Sequence, residues 1–70
     1  MTTITELKAR ISDEEKAIRD YTHLLTYPLN GSEKRSVRHI RDEEKEHKQI
    51  LIKILRNQRK ILIETLRNQK

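Results

Sequence analysis

The chain contains one proline and one glycine, and they fall together in the stretch YPLNGS at residues 27–32. Nothing else in its 70 residues breaks a helix. Pro28 stops one helix, Asn30-Gly31 suits a turn with positive φ, and Ser32 is placed to cap the next, with Glu33 in its first turn. Thr3 and Glu6 have capping-box spacing, which starts the first helix there. The pattern predicts an all-α helical hairpin. Its helices run over about 4–27 and 33–69, the turn over 28–32, and residues 56–70 extend the second helix for assembly. No stretch reads as a strand.

A two-helix chain of this size struggles to bury a core, and small folds are commonly completed by disulfides, a metal or a partner chain. There is no cysteine, so disulfides and thiolate metal sites are excluded. Hydrophobic residues make up 33% of the chain and charged residues 39%, a balance that suits amphipathic helices needing a partner. No apolar run is long enough to span a bilayer, and the N-terminus lacks the basic-then-apolar layout of a signal peptide. A cytoplasmic protein without a membrane partner is the expectation.

Hydrophobic spacing defines one stripe on each helix. In the first it runs Ile4, Leu7, Ile11, Glu14, Ile18, Tyr21, Leu25; in the second, Val37, Ile40, Glu44, His47, Leu51, Ile54. Each stripe is interrupted by groups that are costly to bury unpaired. Glu14 lies 16 residues before Asn30 and Glu44 lies 14 after it. At about 1.5 Å per residue, a hairpin brings them level within one helical turn. Glu44 and His47, three apart, share a helix face. Glu14, Glu44 and His47 therefore converge.

One Glu from one helix and Glu-x-x-His from the next is half of the ligand set of di-iron carboxylate bundles. Two copies would supply four carboxylates and two imidazoles, which suits a pair of iron ions. Carboxylate oxygens favour Fe(III), and imidazoles add affinity without charge. The competing interpretation is a polar layer that sets the register of a coiled coil.

The segments ISDEEKAIRDYTHLL and HIRDEEKEHKQIL resemble the ferritin-like superfamily, most closely the encapsulated ferritins, over about residues 10–55. The resemblance implies a two-helix half-ferritin that dimerises into a four-helix bundle, with a di-iron centre shared between chains. It implies Glu14, Glu44 and His47 as iron ligands, Tyr21 as a hydrogen-bonding group beside them, and ferroxidase activity serving iron storage or detoxification. It also implies a ring-like homo-oligomer, with an encapsulin shell as a candidate partner. Lys16 departs from the pattern where relatives carry an acid, and Asp20 where an aromatic is common. Asp13 and Glu15 remain as acids near the first ligand, and no shell-docking peptide is visible. A rubrerythrin-like di-iron peroxidase would use the same ligands.

The remaining features have simpler explanations. His39 and Glu43, four apart, could hold a surface metal, but a solvated face accounts for them; Asp42 and Glu46 are expected in solvent, paired with Lys45 or Lys48. His23 has no evident partner. ILIKILRNQ at 50–58 recurs as ILIETLRNQ at 61–69, an offset of eleven residues that repeats one face after three turns. Residues 1–50 balance ten Lys/Arg against ten Asp/Glu, whereas residues 51–70 hold six Lys/Arg and Glu64 alone. That excess suits an acidic partner, or merely a solvated helix with cations toward its C-terminus. Nucleic acid is not the expected partner. The alternative to an enzyme is a coiled-coil oligomerisation module with a basic C-terminal helix.

Overall fold

The computed structural model describes residues 2–68, which form two α-helices, α1 (Thr3–Leu24) and α2 (Gly31–Arg67), packed as a hairpin. Its 62 × 17 × 13 Å extent is that of a rod. The all-α hairpin expected from the sequence is the observed fold.

The helix ends differ from expectation in instructive ways. Thr2, not Thr3, caps α1: its hydroxyl accepts from the Thr5 amide at 3.1 Å. α1 stops at Leu24 rather than near residue 27. Pro28 lacks the amide that would bond the Leu24 carbonyl, and its ring excludes a helical conformation at that spacing. The Leu24 carbonyl accepts from Tyr27 instead, at 3.1 Å, while the Thr26 hydroxyl bonds the His23 carbonyl.

Asn30, not Ser32, caps α2. Its side chain accepts from the Glu33 amide at 2.8 Å, and the Glu33 carboxylate accepts from the Asn30 amide at 2.9 Å, a complete capping box. The reciprocal pair satisfies two donors, where Ser32 would satisfy one. Gly31 consequently opens the helix, and no residue, glycine included, has positive φ among those described. A Cβ at Gly31 would meet only Arg35 Nη1, at 3.6 Å. Gly31→Ala is therefore expected to stabilise the hairpin by about 0.5 kcal/mol, through reduced freedom of the unfolded chain. Chemical denaturation followed by circular dichroism tests it.

The α1 stripe lies in the hairpin groove: Ile4, Leu7, Ile11, Glu14, Ile18, Tyr21 and Leu25 are all half-buried. On α2 the expected stripe divides lengthwise. Val37, Glu44 and Leu51 are half-buried, whereas Ile40, His47 and Ile54 are exposed. The sheltered row is Lys34, Val37, Arg41, Glu44, Lys48, Leu51, Leu55 and Gln58. A single neighbouring helix shelters only part of the stripe's width, and the aliphatic stems of Arg41 and Lys48 share that shelter while their heads reach the edge. Lys48 Nζ lies 3.9 Å from Glu15 of α1, so it pairs across the groove rather than with Glu46.

Leu55, at 8% exposure, is the one buried residue among those described. The outward row, Ile40, His47, Ile54 and Ile61, has strict seven-residue spacing, the pattern of a second helix-packing seam.

Candidate metal centre

Halfway along the groove, α1 contributes Glu14, and α2 contributes Glu44 and, one turn on, His47. Each offers a ligand atom within 4.8 Å of the other two. His47 Nδ1 stands 4.0 Å from Glu14 Oε2 and 3.9 Å from Glu44 Oε2. These separations are too long for hydrogen bonds, so the imidazole faces the two carboxylates without bonding either. The Glu14 and Glu44 side chains are 22% and 23% exposed; His47, rotated out of the groove, is 52% exposed.

Glu14 Oε2 is buried and has no hydrogen-bond partner. Such an orphan acceptor costs on the order of 1–3 kcal/mol, and a proton or a cation relieves it. A proton shared with the Glu44 carboxyl, then burial, then the Glu44 charge raise the Glu14 carboxyl above its ordinary value of 4.5; His47 pulls it back and Asp13 adds to the rise. Two carboxylates pressed together with a buried lone pair, beside an imidazole, fit a transition-metal cation in donor type as well as charge. Three donors remain short of what a pair of ions requires.

The raised value has a sign. Glu14 holds its proton more tightly folded than unfolded, so its contribution to stability is complete below about 4.5 and is lost as pH rises through the folded value. Glu14→Gln, which keeps the shape and removes the charge, is expected to stabilise the metal-free hairpin at neutral pH by about 1 kcal/mol and to flatten this loss. Thermal unfolding with chelator, at acidic and neutral pH, provides the check; a wild type at least as stable as the variant at neutral pH would contradict it.

Comparison of the chain with protein-family models, with curated proteins and with solved structures finds no match. The ferritin-like resemblance accordingly rests on the sequence of residues 10–55 alone.

Tyr21 is half-buried and lines an open groove toward the turn with Asp20, His23, Leu24 and Tyr27. His23, which the sequence left without a partner, packs edge-on against Tyr27, with ring centroids 5.4 Å apart. His39 Nε2 faces the Glu43 carboxylate one turn on, and both side chains of that row are exposed. Asp42 takes Arg41 as its partner at 3.3 Å. Lys16 and Asp20, the two residues that depart from the ferritin-like pattern the sequence resembles, bond each other at 2.7 Å, and that bond holds the Asp20 carboxyl below its ordinary value. Their mutual pairing keeps Lys16 occupied on its own helix.

Arg41 and Lys48 are what sequence reading missed. They follow the same three-and-four spacing as Glu44, but only an apolar residue was sought at those positions. They place a cation one turn to either side of Glu44.

Proposed function

We propose that the chain binds iron through Glu14, Glu44 and His47 and, together with the same three residues of a second copy, acts as a ferroxidase for iron storage or detoxification. The observation that carries this reading is the convergence of two carboxylates and an imidazole from two helices, with Glu14 Oε2 buried and unpaired. Fe(II) is the substrate; each ion gives up one electron, and dioxygen is the acceptor. The roles of the protein groups follow from their chemistry. Glu14 and Glu44 relieve their mutual repulsion by taking a cation between them, and they hold the more highly charged product more strongly. His47 supplies a neutral donor at the exposed edge. Ile11, Ile18, Val37 and Leu51, half-buried along the same groove, limit water around the carboxylates.

The need for a second copy has independent support. Among the described residues the hairpin buries a single one, and Ile40 and Ile54 lie exposed in one row with His47. A second hairpin packed on that row would cover the aliphatic side chains and bring its own donors to the open side of His47.

A second interpretation, a coiled-coil module with a polar layer, is favoured by Arg41, Lys48 and Gln58, which make the sheltered row of α2 polar well beyond Glu44. Anaerobic Fe(II) titration, with mass determination by light scattering, separates the two. The ferroxidase reading expects about one iron per chain, an iron-stabilised dimer, and oxidation on admitting air. An oligomer indifferent to iron would leave the coiled-coil module.

A further inference from the structure

The eleven-residue repeat places like side chains in unlike surroundings. In its first unit Leu51 is half-buried and Leu55 is 8% exposed, both against α1. Their equivalents in the second unit, Leu62 and Leu66, are 48% and 59% exposed. The difference arises because α1 begins at Thr3, whose neighbours across the groove are Gln58, Ile61, Leu62 and Thr65. α2 runs on past this end of α1, and Ile61, Leu62, Ile63 and Leu66 remain 46%, 48%, 51% and 59% exposed.

Four cations accompany these aliphatic groups. Arg56, Arg59, Lys60 and Arg67 are exposed, and none forms an ion pair among the described residues. Glu64 is the one acid beyond residue 50.

We propose that this distal part of α2, residues 56–67, docks on an anionic lipid surface, with its aliphatic side chains at the headgroup boundary and its cations on the acidic headgroups. The uncovered aliphatic groups and the unpaired cations are together the features of a helix that lies on an anionic membrane. No helix among the described residues is long and apolar enough to cross a membrane, so the segment lies on the surface rather than spanning it. The absence of a spanning run, which removed a membrane partner from the sequence-based expectation, does not bear on surface binding.

Charge selects this occupant over others. A second copy laid on the same segment would set four Lys/Arg against four, with one Glu64 from each chain. The body of the chain, with ten of each sign in residues 1–50, carries no such bar to self-association. Nucleic acid would satisfy the cations but leave the four aliphatic side chains in water, and the segment has no aromatic on which a base could stack. The inference does not depend on iron binding.

Sedimentation of the full chain with vesicles tests it, using phosphatidylcholine alone and phosphatidylcholine mixed with phosphatidylserine. Binding at least about tenfold tighter to the anionic vesicles is expected, weakening with salt. Leu62→Ser with Leu66→Ser, and separately Arg59→Glu with Lys60→Glu, should each reduce it at least about tenfold while leaving helix content and solution mass unchanged. All four positions are exposed, so folding does not depend on them. Absent binding, or equal binding to neutral vesicles, would overturn the proposal. So would self-association abolished by the leucine pair, or tighter binding to a short DNA duplex that the leucine pair leaves intact.

Discussion

Replacing Glu44 and His47 together with alanine is expected to weaken Fe(II) binding by more than about a hundredfold and to abolish oxidation in air. Outer groups that merely orient a ligand cost about 10–100-fold when lost, and here two of three donors go at once. The remaining donor, Glu14 Oε2, cannot hold a cation alone. The fold should survive, because neither side chain is buried and alanine is the strongest helix former. Titration calorimetry under anaerobic conditions measures the first effect and absorbance after admitting air the second; circular dichroism verifies the helix. Retained oxidation would move the site elsewhere, with the exposed His39–Glu43 pair the first place to look.

The largest effect on stability is expected from Leu55→Ala. Buried Leu→Ala changes cost about 2–5 kcal/mol, through lost transfer energy and an unfilled cavity. A hairpin with one buried side chain among its described residues has little reserve. The variant should therefore lose cooperative unfolding, or regain it only at high protein concentration, where association adds stability. The repeat supplies a matched control. Leu66 occupies the equivalent position eleven residues on but is 59% exposed, and Leu66→Ala should change stability by no more than about 0.5 kcal/mol. Similar losses in both variants would show that the second unit is covered in solution by something other than α1.

Much of the candidate site was legible beforehand because helical rise is regular. Counting from Asn30 placed Glu14 and Glu44 level, and the i, i+3 spacing put His47 beside Glu44; the ligand atoms indeed lie within 4.8 Å of one another. The place of Tyr21 is of another kind: its spacing marks it as sharing a face with Glu14, but a shared face does not by itself fix where its hydroxyl reaches. The caps were ambiguous because Thr2 and Thr3, or Asn30 and Ser32, are chemically adequate alternatives. Only the detailed local geometry, in which Asn30 and Glu33 satisfy each other, selects between them.

The sequence by itself determined two helices, the turn between them, and the height at which three donors meet. These depend on local backbone preferences and a constant rise per residue. The tertiary structure alone decided which half of the α2 stripe faces α1. Periodicity records which residues share a side, but how much of that side is sheltered depends on the width and position of one neighbouring helix. That is why Val37, Glu44 and Leu51 are sheltered while Ile40, His47 and Ile54 face outward. It is also why two nearly identical repeat units differ so sharply in exposure: α1 reaches one and ends before covering the other.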